Sequence, residues 1–335
     1  MSRYVVIGAG AVGATLAAEL HLAGVPVVLV ARGEHGAILR RDGLRYVRPD
    51  GELRVPVPTV DGPAGIDLTP DDVLVLATKT QDAESALAQW AWRPVGDRAA
   101  AEVLPVITLQ NGLDTERAAL RRFATVWAAV SWSPSEFVTP GEIAVPAAPA
   151  VGVLWIGRYP AGGDPRLAAV ADELRSARHL VEPVQDIARW KAGKLLPILG
   201  NALDALYAPG PLRDAAAAAL RDEAREVYRA AGVDPADLRA ETTLDLTRFA
   251  PAPIPGRPTG GRSTWQSLAR GVSPETDFLN GEITLLARLH GVPAPHNAAV
   301  TARLQRAVRE RTPAGSLPDA DLRALLPGLD APAAV

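Results

Sequence analysis

Cysteine is absent from all 335 residues, which excludes disulfides, thiolate nucleophiles and cysteine-ligated zinc together. Histidine is scarce: there are five, no two spaced as His-x-x-x-His, so no metal site is expected. Neither sign of charge dominates. The 35 Lys and Arg against 38 Asp and Glu leave a net −3 with no basic block, so neither nucleic acid nor an anionic membrane is an expected partner. Long apolar runs are missing too. Stretches such as Val25 to Ala31 are far shorter than the roughly 20 residues of a bilayer-spanning helix. The apolar opening, with its early Arg3, superficially resembles a secretory leader. Gly8, Gly10 and Gly13 interrupt it and a second strand follows, so a cytoplasmic protein is expected.

What is present is ordinary globular material, 48% hydrophobic and 22% charged, in a chain long enough for two domains. The first half alternates short β-branched runs with helix-like stretches, the pattern of a parallel sheet with crossover helices. Strands are expected at Tyr4–Gly8, Val27–Ala31, Leu53–Val57, Val73–Ala77, Val106–Leu109, Val126–Val130 and Val153–Ile156, with a turn at Thr139-Pro140-Gly141. From about Asp186 helix formers take over, at Ile187–Tyr207, Leu212–Ala231, Trp265–Ala269 and Glu275–His290, with a stop at Gly291. The expected fold is therefore α/β, an N-terminal Rossmann-type dinucleotide-binding domain over residues 1–185 followed by an all-α domain over 186–312. Residues 313–335 read as a Pro/Ala-rich tail, mobile in part.

Gly8-Ala9-Gly10-Ala11-Val12-Gly13 is a G-x-G-x-x-G placed after a strand and opening a helix. Its glycines permit a tight turn, close approach of a pyrophosphate and helix–strand packing, and the helix start offers free N–H groups to phosphate. Gly8, Gly10, Ala11, Val12 and Gly13 are thus candidate cofactor contacts. The second strand ends at Ala31-Arg32, without the acid that reads the ribose hydroxyls of NAD. Arg32 is either a partner for a 2′-phosphate, which makes NADPH the expected cofactor, or a solvated surface residue. Two later strands end in Lys79-Thr80-Gln81 and Gln110-Asn111-Gly112. Both stand at the carboxyl edge of the sheet, where ligands bind, although Asn-Gly is also a common turn and Lys79 is also readable as a solvated cation.

Taken together, Gly8–Gly13, Lys79-Thr80-Gln81, Leu109–Leu113, Lys194-Leu-Leu, Ser263-Thr-Trp-Gln266, Glu275–Gly281 and Ala294-Pro-His-Asn297 resemble the ketopantoate reductase (2-dehydropantoate 2-reductase) family. The likeness runs in order to about residue 300. It implies a reductase that passes hydride from NADPH to the carbonyl of a 2-keto acid, giving a 2-hydroxy acid. By position, Lys194 matches the family's general acid, Asn111 the asparagine between cofactor and substrate, and Lys79 the lysine nearby. Ser263 and Glu275 match polar groups of the helical domain that contact substrate. Local readings stand beside these: Ser273-Pro274-Glu275 has the form of a helix cap, proline and first-turn acid, and Ser263 is placed to cap a short helix. An ammonium beside a reduced ketone stabilises the developing alkoxide and supplies its proton.

The chain also departs from the family. Ile198, Ala202 and Gly260 stand where asparagines are often found, which predicts a less polar substrate pocket. Asn201, two turns past Lys194 on nearly the same helix face, is a further substrate-binding candidate, although roughly 10 Å along the axis is far for two groups gripping one small hydroxy acid. The expected partner is a small carbonyl substrate; a homodimer is left open. Two alternatives keep the fold: reduction of another, less polar ketone or an imine in specialised metabolism, and a non-catalytic NADPH-binding regulator.

Overall fold

A computed structural model provides the structure and describes residues 1–257 and 261–329. The chain forms two units. The first takes Met1–Gln110, Asp114–Trp190 and the described part of Arg239–Pro258. The second takes Asn111–Leu113, Lys191–Leu238 and the described part of Thr259–Val335.

Eight strands form the centre of the first unit, in the spatial order His179–Pro183, Gly152–Arg158, Thr125–Trp132, Pro105–Thr108, Asp72–Leu76, Arg3–Ile7, Val27–Val30 and Thr59–Val60. The six from Thr125–Trp132 to Thr59–Val60 are parallel, whereas Gly152–Arg158 runs antiparallel to Thr125–Trp132. Successive side chains of a strand point to opposite faces. Accordingly Tyr4, Val6, Val73, Val75 and Ile107 enter one core, while Val5, Ile7, Leu74, Leu76 and Val106 enter another. A second sheet, of the strands Glu136–Thr139, Glu142–Ala144, Leu44–Arg48 and Gly51–Val55, includes the expected turn at Gly141. Leu44–Arg48 and His179–Pro183 were not expected as strands.

The second unit is helical, so the α/β-then-α reading holds. Its longest helix, Pro211–Ala231, starts with proline at its first position and stops at Gly232, whose φ of 67° suits glycine. Two expectations need correction. The helix from Ile187 ends at Ile198, and a separate one spans Asn201–Leu206. Pro197 cannot donate to the preceding turn and its ring crowds that turn's carbonyl, so the helix stops one residue later. Glu275–His290 is likewise divided into a 3₁₀ turn at Thr276–Phe278 and a helix at Asn280–His290. Within the tail Leu322 and Leu326 join the helical core, and the Asp321 carboxylate accepts from the Tyr207 hydroxyl at 2.6 Å. Residues 330–335 of that tail, and Gly260, lie outside the described residues.

Residues 239–257 return to the first unit. Phe249–Pro251 pairs with Ala147–Pro149, Glu182 accepts from the Thr242 and Thr243 hydroxyls, and Arg257 pairs with the buried Glu142. Among the described residues no helix is long and apolar enough to cross a membrane, and no group of three or more His, Asp or Glu is placed to hold a metal ion.

Candidate functional site

Backbone geometry builds the site of the first unit. Gly8 follows the first strand at φ +111°, and a Cβ there would stand 2.8 Å from the Thr78 nitrogen. A Cβ on Gly13 would lie 2.0 Å from the Gly8 carbonyl oxygen and 2.8 Å from the Ala77 Cβ, so only glycine lets the helix Ala11–Leu22 seat against the sheet. Gly10, the cap of that helix, faces open space within 4 Å. Gly8 and Gly13 thus serve the turn and the helix–sheet packing, while Gly10 leaves the backbone open. The N–H groups of the first helical turn, at Ala11, Val12 and Gly13, have no partner within the helix and are oriented for an anion.

Beside this turn lies a cleft of about 250 Å³. Gly8 and Ala9 line one side and Ala31 and Arg32 another, with Thr78 at the end of a neighbouring strand. Arg32 is exposed and caps the helix Gly33–Asp42. Lys79 caps the helix Thr80–Ala91 at the same edge of the sheet, but Thr78 rather than Lys79 lines the cleft. Gln110 ties two strand ends together, its Nε2 donating to the Leu76 and Thr78 carbonyls at 3.0 and 2.9 Å.

Several polar cleft residues were missed, among them His35, Asp61, Thr78 and Asp82. None belongs to a motif, and they meet only because separate elements align. The buried Thr78 Oγ1 and His35 Nε2 atoms lack a hydrogen-bond partner. An open glycine, helix-start N–H groups, a guanidinium and two orphaned polar atoms fit the phosphates and ribose of a dinucleotide.

Side chains build the site of the second unit. Lys194 lies on the helix Ile187–Ile198 and is part-buried. Its neighbour Gly193 allows close packing, since a Cβ there would meet the Ala236 carbonyl oxygen at 2.0 Å. Burial pushes the Lys194 ammonium down to about 7, and the Arg262 guanidinium adds to the shift by repulsion. Arg262 is the functional group that the sequence reading overlooked. It donates to the Oδ1 of buried Asn201 at 3.3 Å and pairs with Asp204 at 3.0 Å. Arg262 also caps the helix Ser263–Ala269, so Ser263 is its first residue rather than its cap, and Ser263 is exposed.

Asn201 opens a new helix, so the spacing of roughly 10 Å along one axis does not apply to it. Glu275, half-buried, holds the cap position of the 3₁₀ turn, and the Ser273 hydroxyl donates to the Pro274 carbonyl at 3.4 Å. Asn111 sits in a turn held against that segment: a Cβ on Gly112, at φ +85°, would lie 2.5 Å from the Phe278 carbonyl oxygen. Lys194, Asn201 and the start of the Ser263 helix are thus linked through Arg262, and the Asn111 turn packs beside the residues after Glu275. Ile198 and Ala202 lie in the helical core. Asn280 and Asn297, from the later motifs, are buried braces. The Asn280 Nδ2 donates to Asn297 at 3.0 Å, and Asn297 donates onward to Glu223 at 2.9 Å.

The family description "Ketopantoate reductase PanE/ApbA" matches residues 4–161, and its C-terminal counterpart matches residues 195–308. The 2-dehydropantoate 2-reductase of Mycobacterium tuberculosis is 29% identical, over 86% of this chain and 92% of its own. A ketopantoate reductase from Ralstonia eutropha superposes with a TM-score of 0.75 at 25% identity, covering 93% of this chain and 99% of that one. D-mandelate dehydrogenase, solved with NADH and anilino(oxo)acetate, reaches the same TM-score at 19% identity over 93% and 99% of the two chains, a likeness of fold alone. With both family descriptions matched in order, the chain belongs to the ketopantoate reductase family and is a dinucleotide-dependent oxidoreductase.

Proposed function

We propose that the protein reduces the carbonyl of a 2-keto acid to a 2-hydroxy acid with NADPH. The first unit holds the cofactor and the second supplies substrate contacts and the proton. The observation that carries this reading is Lys194, an ammonium brought to about 7 by burial and by Arg262. A proton donor works best when its pKa lies near the working pH. Bound NADPH supplies hydride.

Lys194 gives its proton to the carbonyl oxygen as negative charge develops there. Arg262 and Lys194 together make a positive locus suited to a carboxylate, while Asn111, Asn201, Ser263 and Glu275 orient the substrate. Gly8, Gly10, Ala11, Val12 and Gly13 receive the pyrophosphate, Arg32 pairs with the 2′-phosphate, and Lys79 and Asn111 stand at the nicotinamide end. Oxidation of NADPH, followed across 2-keto acids including ketopantoate, tests the reading. Turnover of none of them would overturn it.

A second reading of the substrate rests on Ile198 and Ala202, apolar residues of the helical core where the family often has amides. On that reading bulkier or more apolar carbonyl compounds are preferred, and ketopantoate is a poor substrate. A kcat/KM for ketopantoate at or above about 10⁴ M⁻¹s⁻¹, typical of committed enzymes, would remove it.

A further inference from the structure

Arg262 acts on Lys194 from a fixed place, yet 64% of its side chain is exposed. Its contacts are with Asp204 at 3.0 Å and Asn201 at 3.3 Å, and Asp204 is shared with Arg213 at 3.4 Å. An exposed ion pair contributes less than the rotamer entropy lost in ordering an arginine. The side chain therefore keeps its place only if the backbone that carries it is held.

Trp265 holds that backbone. A Cβ on Gly261, the residue before Arg262, would stand 2.5 Å from the indole ring, so the ring lies directly on this backbone and only glycine admits it. The Gln266 Nε2 donates to the Gly261 carbonyl at 2.9 Å and fixes the same residue from the helix. The indole also meets the C-terminal tail, its Nε1 lying 3.9 Å from where a Gly315 Cβ would stand.

The tail in turn is tied to the helix Asn201–Leu206, which carries both partners of Arg262. Gly315 and Leu317 donate their backbone N–H groups to the Ala205 and Leu206 carbonyls at 2.8 and 3.0 Å, and Leu317 pairs with Tyr207. Farther on, Asp321 is held by Tyr207 and Arg303. The family description stops matching at residue 308, so the tail lies outside the matched fold.

We propose that residues 313–329 form a strap that holds Trp265 against Gly261 and thereby fixes Arg262 beside Lys194. Trp265 is then a positioning residue for the reduction, acting through Arg262. This rests on the reading of Lys194 as the proton donor. Asp204 and Arg213 flank Arg262, and Arg262 is the charge that lowers the Lys194 pKa. Loosening the strap therefore raises that pKa whatever the substrate.

The chain has three lysines, Lys79, Lys191 and Lys194, so ¹³C-labelled lysine gives a short spectrum in which Lys194 is assigned by its loss from Lys194→Met. Its titration is read from the Cε signal of the full chain, without cofactor or substrate, with melting temperature alongside. Gly315→Pro removes the N–H that donates to Ala205 and cannot keep a φ of +71°, so it breaks the strap while Trp265, Arg262 and Lys194 remain. Trp265→Ala removes the indole, and Trp265→Phe keeps a ring over Gly261. Gly315→Pro and Trp265→Ala should each raise the Lys194 pKa by about half a unit or more, with the falling limb of kcat/KM moving alike, and Trp265→Phe should stay near wild type.

An unchanged Lys194 pKa in Gly315→Pro or Trp265→Ala, or a shift in Trp265→Phe as large as in Trp265→Ala, overturns the proposal. If Arg262→Ala raises the pKa and neither strap variant does, only this proposal falls. If wild-type Lys194 titrates at the ordinary lysine value, the proton-donor reading falls with it. Should the variants melt far below wild type, the wild-type indole decides. Its Trp265 Nε1–H signal, assigned from Trp265→Phe, should titrate with the Lys194 midpoint, and an unmoved signal refutes the proposal.

Discussion

The two units of this chain make their functional groups from different materials. In the first, the cradle at Gly8–Gly13 consists of backbone, and its shape is set by the places where a Cβ does not fit. In the second, the groups are side chains whose properties come from their surroundings, as when burial and Arg262 bring Lys194 to about 7. A site of backbone is sensitive to added atoms and indifferent to most changes of charge. A site of buried side chains has the opposite sensitivities.

The largest effect should come from the second unit. Lys194→Met keeps the apolar stem and removes the proton, and should lower kcat by about 10²–10⁴-fold while NADPH affinity changes little. Retained turnover in a correctly folded variant would move the donor elsewhere, with Lys79 the next candidate. The pH profile carries the same information: with a protonated Lys194 required, kcat/KM for reduction is level on the acid side and falls above about 7. Arg262→Ala removes a repelling cation, so the falling limb should shift to higher pH. A shift to lower pH would contradict the electrostatic account.

The cradle offers a sharper contrast within one motif. Gly13→Ala drives a Cβ into the Gly8 carbonyl and should cost about 1–3 kcal/mol of stability as well as cofactor binding. Gly10→Ala meets no protein atom within 4 Å, so melting should hold while NADPH affinity falls. If both variants melt alike, the division of labour among the glycines is wrong.

Arg32→Ala should weaken NADPH about ten- to a hundredfold and leave NADH nearly untouched, as loss of a charge-assisted contact implies. Equal losses for the two cofactors would show that Arg32 does not read the 2′-phosphate. The smallest effect expected is purely structural. Asn297→Leu removes the side-chain hydrogen bonds to Asn280, the Leu220 carbonyl and Glu223, and should lower stability by about 1–3 kcal/mol without changing cofactor preference.

These contrasts also explain what could be seen beforehand. The cradle was legible because its constraints are local: three glycines within six residues, a strand before and a helix after. Lys194 was legible by resemblance, but nothing in its neighbours states how deeply its ammonium is enclosed. His35, Asp61, Thr78 and Asp82 were invisible because they converge from separate elements. Arg262 was hidden by its neighbour Ser263, which carried the family likeness. Asn201 was misplaced although the signal was present: Pro197 and Gly200 flank the break that separates its helix from that of Lys194.

The returning stretch 239–257 has a consequence for how the protein is made. Phe249–Pro251 pairs with Ala147–Pro149, a partner that leaves the ribosome about 100 residues sooner. At roughly 5–20 residues per second of synthesis, the nascent first unit waits on the order of 5–20 s for this strand, during which the helix Pro211–Ala231 is also translated. Neither unit can therefore be completed before translation of the other has begun, and no single cut of the chain releases either one whole.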